Sequence, residues 1–93
     1  MKLVELTTIK TNFENADFWL VRRGSIESVG TPVKSFSQYH IGIKVVRTDI
    51  LLPNYLYYAM KHVHTTGYWK PLANGTLKLV HITTTDVKNI TIG

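Results

Sequence analysis

Apolar residues recur with a helical period in the stretch that runs from position 52 to position 67. They are spaced i, i+3, i+4 and i+7, so they share one face of a helix, and this pattern predicts that the face is buried. The members of this face are Leu56, Ala59, Met60 and Val63. Pro53 suits the first helical turn, and Gly67 suits the left-handed position just past the helix end. We therefore predict one main helix over about 53–66, packed on the rest of the fold.

The polar residues of this helix leave two interpretations open. The side away from the apolar face carries Asn54, Tyr57, Lys61 and His64. Such a face could bind a partner, or it could be solvated surface, because Tyr and Lys cover apolar neighbours with their rings and stems. His62 and His64 point about 200° apart on a regular helix, so they cannot hold one metal ion together.

Period-two patterns predict strands on both sides of the helix. The strongest patterns cover 18–23, 41–46 and 76–82, and weaker ones cover 2–9 and 90–92. We expect the three strong strands to form one sheet or partial barrel on which the helix lies. The predicted fold class is therefore α+β, mostly β with one main helix.

The connections carry turn-forming residues. Segment 24–32 contains two glycines and a proline and predicts a turn region, whereas 33–39 fits either a mobile loop or a short strand. Three threonines and Asp86 within 83–88 predict one capped helical turn. Trp69, next to a proline-leucine pair, is expected to close the core under a loop.

Length and composition favour a single folded domain over residues 1–93. With 44% hydrophobic residues the chain is too apolar for disorder, and the absence of cysteine excludes disulfides, thiolate zinc sites and a cysteine nucleophile. No window approaches the roughly 18–20 apolar residues of a membrane span, and Glu5 interrupts any apolar core of a signal peptide. We expect a cytoplasmic protein without membrane contact.

The chain carries a formal charge of +5 and a pI near 9.6. This balance favours an anionic partner such as nucleic acid, although small proteins also reach such a charge for solubility. Apart from Arg22-Arg23, the basic residues are scattered singly, so there is no basic tail.

Several short motifs follow one another in a set order along the chain. They are a Gly-Ser turn with a Val-Gly step, a tyrosine-rich run behind a proline, a Gly-Thr step, and a late segment with spaced apolar residues. These places are held by Gly24, Ser25, Val29, Gly30, Tyr55 to Tyr58, Gly75, Thr76, Ile82, Val87 and Ile90. Together, over about 18–92, they resemble a target recognition domain of a type I restriction–modification specificity subunit. The chain resembles one such domain without the spacer helices that join two of them in that family.

The resemblance implies a non-catalytic DNA-binding protein whose loops on one side, here 22–40 and 67–78, reach the grooves. The residues that we predict to contact DNA are Arg22, Arg23, Ser25, Lys34, Gln38, Tyr39, Lys70, Asn74, Thr76 and Lys78. Amide side chains match adenine and Arg matches guanine in the major groove, whereas Lys suits phosphate. The residues expected at base edges are Arg23, Gln38, Tyr39 and Asn74. The alternative is that Arg22 and Arg23 are ordinary surface residues at a strand end.

Partners follow from the same interpretation. Duplex DNA is the expected partner, and a methyltransferase, a host enzyme or a second copy of the chain are further ones, since one recognition domain reads only a half-site. The acidic residues are isolated and there is no Gly-rich phosphate loop, so we expect no catalysis, cofactor or metal. The alternative function is a phage or mobile-element module that binds a host restriction or nucleic-acid enzyme, with aromatics such as Tyr57 and Trp69 as anchors.

Overall fold

A computed structural model describes residues 1–76 and 78–91 of the chain. The strands are β1 (Thr7–Thr11), β2 (Phe18–Leu20), β3 (Arg23–Gly24), β4 (Pro32–Val33), β5 (Ile41–Val45), β6 (Asn74–Gly75) and β7 (Val80–His81). The helices are α1 (Pro53–Thr65) and α2 (Thr84–Lys88), and a 3-10 helix covers Leu3–Glu5. The α+β class with one main helix is confirmed.

Two antiparallel sheets make up the β body. The larger sheet has the order β1-β5-β2-β4 and the smaller one the order β3-β7-β6. On β5, Ile41 and Ile43 are fully buried, and they lie opposite Leu20 and Phe18 of β2 in the strand register. Directly opposite residues share a face of the sheet, so these side chains form the floor of the core.

The expectation of one continuous strand over 18–23 is wrong. Strand β2 ends at Leu20, because the next residue pairs with a loop instead of a strand: Val21 N–H donates to Thr31 O at 3.0 Å, and Gly30 N–H donates to Val21 O at 2.8 Å. These two hydrogen bonds occupy the backbone of Val21, and the chain then leaves the larger sheet and enters the smaller one as β3.

The expectation of a strand over 76–82 is also wrong. Only Val80–His81 is a strand in this part of the chain, and it follows β6 in a tight hairpin, while residue 77 lies outside the described residues. The three strongly predicted strands therefore do not form one sheet. Strands β2 and β5 are neighbours in the larger sheet, and β7 lies between β3 and β6 in the smaller one.

The predicted strand over 2–9 begins later than expected. Leu3 and Leu6 are both buried and stand three residues apart, which suits the 3-10 helix that replaces the start of the strand. Thr7 Oγ1 donates to Leu3 O at 2.8 Å and so covers a carbonyl of that helix. The alternation of residues 2–9 predicted a strand because Leu3 and Leu6 also fit a pattern in which both sides of a strand carry apolar residues.

Helix α1 matches its prediction. Leu56 and Met60 are buried, Val63 packs against the core, and Gly67 adopts φ 79° past the helix end. Trp69 is 1% exposed, as expected for a residue that closes the core. Within residues 1–76 and 78–91, no helix has the length and apolar content that crossing a membrane requires.

The end of the chain also carries the predicted capped turn. Thr83 Oγ1 accepts from Asp86 N–H at 3.1 Å, and Asp86 Oδ2 accepts from Thr83 N–H at 2.9 Å, which forms a capping box before α2. The weak strand pattern at 90–92 corresponds to one isolated bridge between Thr91 and Lys2, and residue 92 lies outside the described part.

Candidate nucleic-acid interface

The smaller sheet aligns three hydrogen-bonding side chains in one row. Arg23 of β3 and Asn74 of β6 both lie opposite His81 of β7 in the strand register. Residues directly opposite each other on antiparallel strands project from the same face, about 5 Å apart at the Cα atoms. The row therefore spans about 10 Å across the sheet and presents a guanidinium, an imidazole and an amide side by side.

The row faces outward. Val80, which precedes His81 on β7, is buried and packs into the hydrophobic core. Successive strand residues point to opposite faces, so the face that carries His81 points away from the core. Arg23 and Asn74 are exposed accordingly, and His81 is half-buried between them.

The hairpin between β6 and β7 lies beside this row. Thr76 N–H donates to Leu79 O at 3.0 Å, and Thr76 Oγ1 accepts from Leu79 N–H at 3.1 Å. Both the N–H and the hydroxyl of Thr76, a predicted DNA contact, are therefore used to close the hairpin. Lys78 is exposed within the same turn, so it is the charged side chain that the hairpin offers.

Ser25 follows β3 directly and is used in a similar way. Its hydroxyl accepts from Ser28 N–H at 3.2 Å, and its carbonyl accepts from the N–H of Ser28 and Val29 at 3.1 Å. Ser25 therefore shapes the turn that follows Arg23. Around the smaller sheet, the structure brings together these predicted contact residues: Arg23, Ser25, Asn74, Thr76 and Lys78.

The remaining predicted residues do not belong to the row. Arg22 is half-buried, and its carbonyl accepts from Ile82 N–H at 2.9 Å. Gln38 and Tyr39 are exposed, and Gln38 O accepts from Asn12 N–H at 3.1 Å, which places this loop next to the end of β1. Arg22 thus adjoins the row in the pairing of β3 with β7, but as the residue next to Arg23 it points to the opposite face. Gln38 and Tyr39 are not neighbours of the row in the strand register.

Lys34 and Lys70 occupy two further places. Lys34 lies against an aromatic ring of α1, with its Nζ 4.6 Å from the ring centroid of Tyr57. Lys70 lines a cleft of about 280 Å³ together with His64 and Trp69. Neither lysine belongs to the row on the smaller sheet.

His64 has a structural role in this cleft. Its Nε2 lies 2.7 Å from Glu27 O and 3.1 Å from Thr31 Oγ1, so it fastens α1 to the loop between β3 and β4. In the described part of the chain, no group of three or more His, Asp and Glu side chains could hold a metal ion. Trp69 is too deeply buried to serve as the interaction anchor that the alternative function requires of it.

Sequence reasoning missed His81 as a partner of Arg23 and Asn74. The pattern of 76–82 placed His81 on a strand, but its neighbours follow from pairing with residues 58 and 7 positions earlier in the chain. The one local signal for His81 is that it is a polar residue on an otherwise apolar side of the strand pattern. This signal does not identify the neighbours of His81, which only the strand register defines.

Comparisons with known proteins bear on the fold. No family model and no curated protein matches the sequence. Among solved structures, the chain is similar to the crystal structure of a type I restriction-modification system S subunit from M. genitalium, with a TM-score of 0.69 and 18% sequence identity. The similarity covers 97% of this chain and 32% of that chain, so this chain spans about one third of that subunit's length. At this identity the likeness shows the fold alone, and it supports the recognition-domain-like architecture that the motifs predicted.

Proposed function

We propose that this chain is a non-catalytic DNA-binding module that contacts duplex DNA with the exposed face of its smaller sheet. The observation that carries the proposal is the in-register row of Arg23, His81 and Asn74 on that face. The formal charge of +5 and the likeness in fold to an S subunit support it. Assembly with a methyltransferase subunit, or with a second copy of the chain, belongs to the same proposal.

The dimensions of the row suit the major groove. That groove is about 12 Å wide and admits a β-ribbon, and the row spans about 10 Å. Arg23 has the donors for the O6 and N7 acceptors of guanine, and Asn74 can pair with N6 and N7 of adenine. Lys78, in the adjacent hairpin, is exposed and suits a phosphate at the edge of the groove.

Fluorescence anisotropy with labelled random-sequence duplexes, followed by selection of a preferred sequence, tests the proposal. The wild-type protein should bind duplex DNA at low salt, and its affinity should fall as salt rises because counterions are released. Arg23→Ala should cost roughly 1–3 kcal/mol on the selected site, which is the worth of one good bidentate base contact. It should also relax the preference at one base position.

Arg47→Ala is the matched control. Arg47 is also an exposed arginine, but it pairs with Asp49 at 2.9 Å outside the smaller sheet. This variant loses the same charge, so the proposal expects it to bind nearly as the wild type does. Absence of duplex binding by the wild type at low salt, or equal losses for Arg23→Ala and Arg47→Ala, would refute the proposed interface.

The alternative, a protein-interaction module, has its own surface. Tyr55 and Tyr58 of α1 are 68% and 63% exposed, and Leu52 just before the helix is 65% exposed. Large exposed aromatics of this kind are common anchors in protein interfaces. A DNA-free complex whose stability does not change with salt, and which Tyr58→Ala disrupts, would favour this function over DNA binding.

A further inference from the structure

A second basic site lies on α1, away from the row on the smaller sheet. Tyr57 stands at its centre, with its ring in edge contact with Phe18 at 5.5 Å and with Tyr58 at 5.3 Å between centroids. Phe18 belongs to the core floor and is 1% exposed. The ring of Tyr57 is thus held in place by the core on one side and by its helical neighbour on another.

Two lysines converge on this ring from different elements. Lys34 follows β4, and its Nζ lies 4.6 Å from the Tyr57 centroid. Lys61 is one helical turn beyond Tyr57, and its Nζ lies 5.3 Å from the same centroid and 5.8 Å from that of Tyr58. Both ammonium groups are attracted by the negative face of the ring, which holds each lysine near it.

Neither ammonium group is neutralised. Among the lysine and arginine side chains of residues 1–76 and 78–91, the ion pairs are Lys44–Asp17 and Arg47–Asp49, so neither Lys34 nor Lys61 takes part in one. Lys34 and Lys61 are exposed, and each has its Nζ within 5.3 Å of the Tyr57 centroid, so two like charges flank one ring at the surface without an ion-paired carboxylate. An anion that binds there meets two positive charges whose side chains are already ordered by the ring, which lowers the entropy cost of binding.

We infer that Lys34, Tyr57 and Lys61 form a phosphate-binding site for the backbone of the duplex that the smaller sheet contacts. The inference rests on the proposed function. An open pair of lysines without backbone N–H donors is a weak site for an isolated anion, but it gains strength when a polyanion is held at a second site as well. Ammonium groups act as point charges toward phosphate, so the site stabilises the complex without reading sequence.

The chain keeps this site within reach of the row. Phe18, which supports Tyr57, and Arg23 of the row are separated by five residues of chain, which span at most about 18 Å. That distance is about half a helical turn of B-DNA, whose full turn is about 34–36 Å. The segment that joins the support of the lysine site to the row is therefore shorter than one helical turn of B-DNA, and contact of one duplex with both sites is part of the inference.

The test compares variants that lower the net charge equally. K34Q/K61Q should reduce the slope of log affinity against log salt by about 0.9 if the two lysines share one phosphate, and by about 1.8 if each contacts its own. If both proteins bind equally at 1 M salt, that slope change is about an 8- to 60-fold loss of affinity at 0.1 M salt. The loss should be the same on random and selected duplexes, because phosphate contacts carry no sequence information.

K2Q/K10Q is the charge-matched control. Lys10 also lies over an aromatic ring, with its Nζ 4.7 Å from the Phe13 centroid, and Lys2 lies near Asn89. This double variant should keep nearly the wild-type slope, and K34R/K61R should keep nearly the wild-type affinity. Circular dichroism measures whether each variant is folded. If K34Q/K61Q is unfolded, the salt slopes of the single variants K34Q and K61Q are compared with that of the wild type instead.

The outcomes separate the inference from the proposed function. A slope reduced in K34Q/K61Q and unchanged in K2Q/K10Q supports the phosphate site. Duplex binding by the wild type with equal effects of the two double variants overturns the site and leaves the proposed function intact. Absence of duplex binding by the wild type at low salt overturns both.

Discussion

Gly30 and Trp69 form a contact whose energetic value can be worked out from the structure. Gly30 adopts φ +84°, and a Cβ added there would lie 2.0 Å from Cδ1 and 2.2 Å from Nε1 of Trp69. Carbon atoms in contact stand about 3.5–4.0 Å apart, so the indole would have to retreat by about 1.5 Å. Trp69 is 1% exposed, so any shift of the indole disturbs its packing in the core.

Gly30→Ala should therefore lower the free energy of unfolding through two effects. The left-handed backbone costs an alanine about 1–2 kcal/mol. Overpacking against the buried indole adds about 1–3 kcal/mol. We expect a total loss of about 3 kcal/mol, which corresponds to a fall in Tm of about 12–24 °C for a domain of this size.

Gly67→Ala provides the matched control. Gly67 adopts φ +79°, nearly the same backbone conformation, but the nearest atom to an added Cβ is Lys70 Cδ at 3.7 Å, an ordinary contact. This variant should show the backbone cost of about 1–2 kcal/mol without the steric one. Urea denaturation followed by circular dichroism measures both variants against the wild type at a common m-value.

The double-mutant cycle with Trp69→Leu isolates the steric part. In that background the indole edge is absent, so the additional cost of Gly30→Ala should fall to that of Gly67→Ala. If Gly30→Ala costs no more than Gly67→Ala in the wild-type background, the packing of Trp69 on Gly30 does not hold the turn after β3 in place, and the reasoning is refuted.

Three further predictions each concern one residue. Thr83→Ala removes the N-cap of α2 and should lower the free energy of unfolding, measured by thermal denaturation, by about 1 kcal/mol. Thr83→Ser keeps a capping hydroxyl and should retain most of that stability. An equal loss of stability in Thr83→Ser would argue against the cap. His64→Ala removes the 2.7 Å hydrogen bond to Glu27 O and should cost about 0.5–1.5 kcal/mol in urea denaturation, with His62→Ala, at an exposed position on the same helix, as a nearly neutral control. Burial lowers the pKa of His40 from its ordinary value of 6.5, so the unfolded chain takes up a proton at a higher pH than the folded one. The His40 contribution to stability is therefore complete above about pH 6.5 and declines as the pH falls below it; His40→Gln should make the dependence of Tm on pH shallower in that range, and an unchanged pH profile would contradict this.

The elements that could be predicted from the sequence are those defined by local spacing. Helix α1 follows from its i, i+3, i+4, i+7 pattern, its proline and its glycine, and the capping box of α2 follows from Thr83 and Asp86, which stand three residues apart. These signals act within one or two turns of backbone. Both elements were therefore correct in type and nearly correct in extent.

The division into two sheets could not be predicted in the same way. The alternation from 18 to 23 is real, but the strand ends because Val21 is hydrogen-bonded to Gly30 and Thr31, residues that lie beyond an intervening turn. The periodicity within residues 18–23 gives no information about hydrogen bonds to residues outside the strand. The alternating patterns alone predicted a single sheet, because they carry no information about the loop residues Gly30 and Thr31 that pair with Val21.

The candidate interface depends on the same long-range pairing. Arg23 and Asn74 could be predicted as contact residues from their chemistry, since arginine and amide side chains match base edges. Their common face, and the position of His81 between them, result from strand register alone. The break in the strand after Leu20 would let one short segment serve both proposed sites. Its first residue, Phe18, supports Tyr57 from the core, and Arg23 after the bend stands on the exposed face of the smaller sheet. A single straight strand would have kept Arg23 within the larger sheet, apart from Asn74 and His81.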